Sequence, residues 1–420
     1  MKFSFGKNRT FTSNSAFVWG LGAMLSTTAH AVTQEMRASF IPDPGRPQNN
    51  AFVDQTPQSG YCGTYVADCK AHNLSGVRLP LRFSSVRSIE PGATVRNGAM
   101  FKIPNQWRSL TVKHVATGEA ATVEMRIGGV GTQYVLSDTA VNLTGAANDQ
   151  QAHNELWGGR GWWFPSRPCD SGAMSAHGPN FYRSFWRGPA EAVCSKEAAF
   201  RIPWMSYDYL DVGYELRTPN PLAMSAGVYT GELTYGAGPG QDIDAGDNLL
   251  PDNSTITFRF VLDVQHILKV DLPPGGSRIE LVPQGGWQAW LQEGRRPVRL
   301  FRDQTFNLST SSRFRMSFKC QYGGIGACAL RDAESGSTFP QVYLSVSLPH
   351  GITDAAGQPV KHKRLTERPT DTLFQPGAYV DRAPGVLHFE VPSHYMEHML
   401  QPGQVKHYAG NVTVIWDSEV

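Results

Sequence analysis

The 420-residue sequence lacks the short motifs of the common nucleotide-binding and hydrolytic enzymes. It has no G-x-G-x-x-G, no P-loop and no G-x-S-x-G, and it also lacks the C-x-x-C of many zinc sites. No apolar run approaches the about 20 residues that cross a bilayer as a helix. Charged residues make up only 18% of the chain, and the net charge is +2. A general role in binding nucleic acid or anionic membranes therefore has no electrostatic support.

The first 31 residues carry the pattern of a secretory signal peptide. Three basic residues fall within the first nine positions, an apolar run covers 16–25, and Ala29-His30-Ala31 is a small-residue cleavage site. Without residues 1–31 the chain has 35 basic residues against 36 acidic ones, so its net charge becomes −1. We therefore expect an exported and nearly neutral mature protein of about 389 residues.

Six cysteines follow this segment, an even number that is typical of disulfide-bonded exported proteins. The sequence permits many connectivities, of which the simplest joins nearest neighbours along the chain. The rival use, as ligands of a metal, is disfavoured because the spacings do not match those of zinc sites. The expected disulfide residues, in their nearest-neighbour pairs, are Cys62 with Cys69, Cys169 with Cys194, and Cys320 with Cys328.

Glycine (42) and proline (28) together make up one residue in six, which favours short strands joined by turns. Apolar and polar residues alternate with period two in many segments, most clearly after residue 265, as they do in antiparallel sandwiches. We predict an all-β protein of two immunoglobulin-like antiparallel β-sandwich domains. The N-terminal domain would cover 32–265 and the C-terminal domain 266–420, with one strand of the latter at 278–282.

Other stretches are predicted to interrupt the strands. The proline-containing stretch 32–60 and the stretch 145–190 are expected to be irregular. The pair Gly128-Gly129 is expected to form a turn between two strands. The stretch 236–253 is either a long hairpin loop or a domain linker, and we favour the loop. Helix is scarce, and the best candidate is a short turn after Ser393.

The segment 157–187 is the most unusual part of the sequence, because large aromatic residues are interspersed with arginines. Aromatic faces stack on sugar rings and guanidinium groups bind carboxylates bidentately, so an acidic glycan or glycolipid would suit both. The alternative is that the tryptophans pack a small disulfide-tied core with the arginines solvated around it, which is the commoner use of large aromatics. The candidate ligand-binding residues are Arg160, Trp162, Trp163, Arg183, Trp186 and Arg187.

Two stretches resemble metal-binding motifs but lack the helix length or the ligand spacing that such sites need. Residues 394–398 (HYMEH) match H-x-x-E-H, in which two histidines on one helical face hold zinc. Pro392 before this stretch and Pro402-Gly403 after it leave room for only a short helix. The aspartates of 236–253 resemble a calcium loop, but they do not meet the EF-hand spacing. We therefore predict no metal, no cofactor and no catalytic residue.

The chain resembles the minor tip subunits of chaperone–usher fimbriae, of the colonisation-factor and cable-pilus type. The resemblance rests on the signal peptide, an N-terminal β domain with disulfides, and a pilin-like C-terminal part. That part contains ILKVDLPPGGSRIELVP at 267–283, the pair Cys320 and Cys328, and YAGNVTVIWDSEV at 408–420. The resemblance implies an incomplete pilin sandwich that lacks its last strand. Its apolar groove is then covered by a chaperone until a neighbouring subunit donates a strand.

The resemblance also implies partners and a location. They are a periplasmic chaperone, an outer-membrane usher and the adjacent pilin subunit, with export through the periplasm to the fimbrial tip. The N-terminal domain would bind a host receptor, for which a glycan is a candidate. The candidate residues of the donor-strand groove are Leu268, Val270, Val412, Val414 and Trp416, and the opposite register is the alternative.

Two other functions stay open at this point. The protein could initiate pilus assembly without binding a receptor. It could also be a secreted β-sandwich enzyme acting on glycans, although the sequence shows no paired acids for such a reaction.

A tip subunit accepts a strand and donates none, and 32–60, which contains four prolines, would be a poor donor strand.

Overall fold

A computed structural model describes residues 32–173, 176–323, 326–368, 372–401 and 406–418. The predicted signal peptide therefore lies outside the described residues. Strands dominate and the helices are short, so the predicted all-β class is confirmed. Among the described residues no helix is long and apolar enough to cross a membrane.

The described part of the chain up to residue 264 contains one sheet of fourteen strands, a separate two-stranded sheet of β5 and β11, and four short α-helices. Nearly all of the buried side chains in this part form one hydrophobic core. The strands are β1 (Val32–Phe40), β2 (Val53–Asp54), β3 (Ser75–Leu79), β4 (Phe83–Ser85), β5 (Ala99–Ile103), β6 (Arg108–His114), β7 (Ala120–Leu136), β8 (Asp170–Ser171), β9 (Ala176–Gly178), β10 (Phe181–Arg187), β11 (Ala192–Lys196), β12 (Met205–Tyr207), β13 (Leu210–Arg217), β14 (Gly227–Gly236), β15 (Leu249–Pro251) and β16 (Thr255–Val264). The helices are α1 (Gly60–Thr64), α2 (Val66–Ala71), α3 (Ala140–Thr144) and α4 (Asp149–Leu156).

The prediction of an irregular lead-in at 32–60 is wrong for its first nine residues. They form β1, which pairs in parallel with β16 along its whole length, from Val32 opposite Ile256 to Phe40 opposite Val264. Met36 and Phe40 are buried, because alternate residues of β1 face the core. This parallel pair is an exception to the antiparallel sheets that were expected.

The prediction of a turn at Gly128-Gly129 is also wrong, because both glycines lie inside the 17-residue strand β7. Gly129, like Gly213 of β13, allows the Phe185 ring to approach the strand backbone closely. A Cβ atom on Gly129 would lie 2.5 Å from Cζ of Phe185, and one on Gly213 would lie 2.7 Å from the same atom. The Phe185 ring is 1% exposed and stacks on Tyr61 of α1 at 4.4 Å. The two glycines thus form the surface on which this ring lies.

We expect Gly129→Ala to lower the free energy of unfolding by about 1–3 kcal/mol, because the added methyl group overlaps Phe185 and forces the ring to move. Urea denaturation followed by tryptophan fluorescence measures the change. Gly118→Ala is not a suitable control because Gly118 has a positive φ angle. Gly323→Ala suits better, since a Cβ there has no heavy atom of the described residues within 4 Å. An unchanged stability of Gly129→Ala would contradict the packing described for Phe185.

The stretch 145–190 is more regular than predicted. Asn148 caps α4 by accepting a hydrogen bond from the Gln151 N–H, and β10 pairs with β7 over seven residues. The sequence signal was weak because β10 is a nearly continuous run of aromatic and basic residues without alternation. The hairpin predicted around 236–253 is confirmed, since β14 and β16 pair antiparallel on either side of it.

The described part of the chain after residue 264 consists of a seven-stranded and a four-stranded sheet around a separate hydrophobic core. The segment 278–282 is not a strand; it contributes one isolated bridge, between Val282 and Phe301. The short helix predicted after Ser393 is present as α6. The strands are β17 (Leu268–Asp271), β18 (Leu300–Thr310), β19 (Phe314–Cys320), β20 (Cys328–Asp332), β21 (Thr338–Ser347), β22 (Ile352–Asp354), β23 (Lys363–Arg364), β24 (Leu373–Pro376), β25 (Val380–Val391), β26 (Tyr408–Ala409) and β27 (Val412–Ser418), and the helices are α5 (Gln288–Glu293) and α6 (Ser393–Met399).

The six cysteines form the nearest-neighbour disulfides Cys62–Cys69, Cys169–Cys194 and Cys320–Cys328. The second of them joins Cys169, within the aromatic segment, to Cys194 of β11 and so ties this segment to the strand that follows it. The division of the chain into domains at 265 and 266 stays a prediction.

Candidate binding site

Trp162 and Trp186, two of the candidate ligand-binding residues, are buried in the core. Their exposed fractions are 0% and 2%, and their rings lie 4.7 Å apart. Trp162 also contacts Trp157 at 4.8 Å and Tyr134 at 4.9 Å. Neither tryptophan presents a face to a ligand in this structure. These two residues therefore follow the alternative interpretation, in which the tryptophans pack an aromatic core.

Arg187 is occupied by contacts within the protein. Its guanidinium forms an ion pair with Asp68 of α2 at 2.9 Å and donates to the carbonyl oxygen of Ser171 at 2.8 Å. Tyr61 also donates to the Asp68 carboxylate, at 2.7 Å. Arg187 therefore ties β10 to α2 and β8. This fixes the strand that carries Arg183 without leaving Arg187 for a ligand.

Arg183 is exposed and lines a small cleft of about 100 Å³ at the surface between α1, β10 and β13. Its Nε donates to Oε1 of Gln133 at 2.6 Å. A second arginine of the cleft, Arg78, binds the buried Asp211 through two hydrogen bonds of 2.6 and 2.8 Å and covers the ring of Tyr209 at 3.6 Å. The cleft thus combines two guanidinium groups with tyrosine faces.

The two arginines of this cleft differ in how far a neighbouring acid neutralises their charge. Burial raises the pKa of Asp211, and the hydrogen bonds from Arg78 oppose that rise without cancelling it. Burial also raises the pKa of Tyr209, which keeps its hydroxyl protonated at neutral pH. Arg78 is neutralised by Asp211, whereas Arg183 has only a neutral partner among the hydrogen bonds and ion pairs of the described residues. The available positive charge in the cleft is therefore that of Arg183.

Arg160 lines a larger cavity of about 550 Å³, which we call the Lys196 cavity. It lies between 157–166 and 195–199, next to the disulfide Cys169–Cys194. Phe164 on its wall is 51% exposed and contacts the half-buried Trp163 at 5.2 Å. Trp163 donates its indole N–H to the Gly172 carbonyl at 2.7 Å, which fixes the ring behind Phe164.

Lys196 is the residue of this cavity that sequence reasoning missed. Its ammonium donates to the carbonyl oxygen of Phe164 at 2.8 Å. Burial, together with the nearby charge of Arg160, lowers its pKa to about 8. The single lysine, at the end of a strand and close to a cysteine, gives no signal in the sequence. Only the fold brings it beside the aromatic segment.

The five candidate groove residues lie on the edges of the C-terminal sheets. Strand β17 is the end strand of one sheet and β27 the end strand of the other, each with a neighbour on one side only among the described residues. Trp416 packs on Phe306 at 4.9 Å and on Phe314 at 5.8 Å. All five side chains are only partly buried and contact the core from these edges: Leu268, Val270, Val412, Val414 and Trp416.

The residues of the two apparent metal-binding motifs contact other side chains of the protein. In α6 the His394 ring lies on Tyr395 and the His398 ring on Phe339. In 236–253, Arg96 binds both Asp244 and Asp247, and Arg108 binds Asp242. The described residues contain no group of three histidine, cysteine, aspartate or glutamate side chains that could hold a metal.

One hydrogen-bonded chain in the C-terminal part follows the order of a hydrolase triad. His388 binds Asp303 through Nδ1 at 2.7 Å and Ser347 through Nε2 at 2.9 Å. The His362 ring stacks flat on His388 at 3.9 Å, and its backbone N–H donates to the same Ser347 oxygen. Asp303 and His388 are also direct cross-strand partners. We interpret the chain as a polar ladder across three strands that anchors His362, whose φ angle is 47°.

No family model and no curated protein matches the chain. Among solved structures it is similar to the CFA/I chaperone–tip adhesin complex, at 12% identity over 93% of this chain and 97% of that one, with a TM-score of 0.23. It is also similar to a mutant of CfaE, the CFA/I adhesin of enterotoxigenic E. coli. There the identity is 12% over 93% of each chain, and the TM-score is 0.27.

A third similar structure is the CsuC–CsuE chaperone–tip subunit pre-assembly complex of the archaic Csu pili of Acinetobacter baumannii. Its identity is 8% over 92% of this chain and 99% of that one, with a TM-score of 0.21. At such TM-scores the likeness by itself assigns no function. These three structures contain fimbrial tip subunits, two of them in complex with a chaperone.

Proposed function

We propose that the protein is a tip adhesin of a chaperone–usher fimbria, joined to the shaft by a strand from the adjacent pilin subunit. The observation that carries the proposal is the pair of open edges on the C-terminal sheets. Strands β17 and β27 each lack a neighbour on one side among the described residues, and both carry apolar residues there that are only partly buried. An added strand would pair with β27 and cover these side chains.

The same open edges suggest the other assembly partners. An unpaired edge beside exposed apolar groups favours aggregation, so the subunit needs a periplasmic chaperone before it reaches the outer-membrane usher. The first described strand, β1, is already paired in the N-terminal sheet and is not free to be donated to a neighbour. The subunit would therefore accept a strand and give none, which supports the proposed position at the fimbrial tip on the cell surface.

The N-terminal part would bind the host receptor through its cationic clefts. Arg183 is exposed in a cleft with tyrosine faces, and Arg160 with Phe164 lines the Lys196 cavity. Both combine a positive charge with an aromatic face, the pairing that suits an acidic glycan. The competing function is a pilus initiator that binds no receptor. The sequence resemblance covers both classes, and only binding data separate them.

Expression in the periplasm with and without the cognate chaperone tests the assembly part of this proposal. We expect soluble protein only in the presence of the chaperone, isolated as a one-to-one complex, because the open edges otherwise pair between molecules. Size-exclusion chromatography of the periplasmic extract gives the result. Stable monomeric protein obtained without chaperone or donor peptide would overturn it.

Replacing Arg183 by alanine tests receptor binding by the small cleft. We expect binding of the chaperone-bound protein to host cells or glycan arrays to fall about tenfold or more, the effect of losing a charged hydrogen bond. Arg201→Ala is the matched control, since Arg201 is an exposed arginine that also has a single side-chain partner, Glu90. Absence of any cell or glycan binding by the unaltered protein would favour the initiator.

A further inference from the structure

We propose that the Lys196 cavity binds a sugar residue that bears a carboxylate, with the carboxylate between Arg160 and Lys196 and the sugar ring on Phe164. The inference rests on the proposed adhesin function and names the ligand class of one of its sites. The cavity volume of about 550 Å³ falls within the range of small-molecule sites and exceeds what one ordered ion needs.

The charges of the cavity favour an anion. Arg160 is exposed and takes part in none of the ion pairs between described residues. Lys196 donates only to a neutral carbonyl oxygen, that of Phe164. The remaining charged side chain on the wall, Glu197, is exposed and makes no ion pair with either cation in the described part of the chain. Two cations thus face one cavity with a single acid beside them, and a ligand carboxylate would compensate them.

The neutral groups of the cavity favour a sugar over an inorganic anion. Phe164 exposes half of its side chain beside the cations, as an aromatic face on which a pyranose ring can lie. The Ser166 hydroxyl oxygen accepts from the N–H of Ser195 at 2.9 Å and from its hydroxyl at 3.1 Å. Its own proton has no acceptor among the hydrogen bonds of the described residues, so a carboxylate or a hydroxyl of the ligand could accept it.

The cavity is held in shape before any ligand arrives. The disulfide Cys169–Cys194 joins its two walls, and Ser166 also pairs with Ser195 through the backbone. Trp157, at the back of the cavity, is 2% exposed and donates to the Tyr134 hydroxyl at 3.1 Å. A fixed site loses little side-chain entropy on binding, which suits a weak ligand such as a single sugar residue.

The proposal has a pH signature. Lys196 has a pKa of about 8 in the free protein, so it is charged at pH 6 and largely neutral at pH 9.5. The other charged side chains that line the cavity with Lys196 are Arg160 and Glu197. We expect the affinity for a carboxylate to be constant below pH 7 and to fall above pH 8. Lys196→Arg keeps the charge at high pH and should retain the affinity there.

The test uses the chaperone-bound full protein and two free sugars, glucuronic acid and N-acetylneuraminic acid, with their methyl esters as neutral controls. Isothermal calorimetry or saturation-transfer NMR measures binding. We expect millimolar binding of the acids, none of the esters, and at least about a tenfold loss in Lys196→Met and in Arg160→Met. Arg167→Met, in the same segment but outside the cavity lining, is the matched control and should bind normally.

A second readout is chemical and does not depend on adhesion. At pH 7 an amine with a pKa of about 8 is neutral roughly two-hundredfold more often than an ordinary lysine, so Lys196 should react first with an acylating reagent. Mass spectrometry locates the modified lysine, and the acidic sugars should protect it while the esters do not. Equal binding of acids and esters, or unchanged binding in both methionine variants, would overturn the inference. If the protein bound free acidic sugars but adhered to no host glycan, the inference about the cavity would hold and the adhesin function would be refuted.

Discussion

Replacing Trp186 by alanine is expected to lower the free energy of unfolding by about 3–5 kcal/mol, the cost of removing a large aromatic side chain from a packed core. Trp186 is 2% exposed and lies against Trp162 in the centre of the N-terminal core. The surrounding strands β7 and β10 are paired over seven residues, so they cannot close the resulting cavity easily. Urea unfolding monitored by circular dichroism measures the loss.

The control for this variant is Phe164→Ala in the same aromatic segment. Phe164 is 51% exposed, so its truncation should change the free energy of unfolding by less than about 1 kcal/mol. The pair of variants separates packing from ligand contact. If Trp186→Ala unfolded at the same urea concentration as the unaltered protein but lost receptor binding, Trp186 would be a ligand contact and the packing interpretation would be wrong.

A donor-strand peptide should produce the second large effect. A peptide copied from the N-terminal extension of the cognate pilin, held at about a thousandfold its dissociation constant, stabilises the folded state by about 4 kcal/mol. For a domain of roughly 150 residues this raises the unfolding temperature by roughly 8–16 °C. The physical cause is the pairing of the peptide with β27 and the burial of the edge residues of β17 and β27. Scanning fluorimetry of protein freshly released from its chaperone, at a concentration too low for pairing between molecules, measures the shift.

Val414→Asp should abolish that shift, because it places a charge on the face of β27 that the donated strand covers. Thr413→Asp is the matched control, since Thr413 is an exposed neighbour on the same strand and points the other way. A shift that survives in Val414→Asp, or a peptide that binds without stabilising the protein, would show that the groove lies elsewhere.

The strands of the C-terminal part were more predictable from the sequence than those of the N-terminal part. In β21 and β27 one face is more buried than the other, so alternation is visible in the residues themselves. In β7 and β10 both faces are covered over much of their length, and the pattern becomes a continuous mixture of glycine and aromatic residues. Gly129 therefore predicted a turn, although it lies in a strand under the ring of Phe185.

The candidate site was predicted only in part for a similar reason. The aromatic and basic segment was identified correctly as unusual, but the sequence does not tell which of its aromatic rings point inward. Trp162 and Trp186 are buried, whereas Phe164, which was not selected, is exposed. Arg78 reaches its cleft through the pairing of β3 with β13, and Lys196 reaches its cavity through the Ser166–Ser195 hydrogen bonds and the disulfide Cys169–Cys194. No local pattern can show contacts that depend on strand order.

The pairing of β1 with β16 has a mechanical consequence for a subunit held between a receptor and a fimbrial shaft. Tension from the shaft would enter the N-terminal sheet at Gln265, directly after β16, and run along that strand. The two strands are parallel and matched over nine residues, so a pull along the axis of β16 would act across their backbone hydrogen bonds. These bonds are then loaded in shear and must fail together, whereas a hairpin pulled from its open end would unzip one bond at a time. In the tip adhesin proposed above, β1 would then act as a clamp at the point where the load arrives.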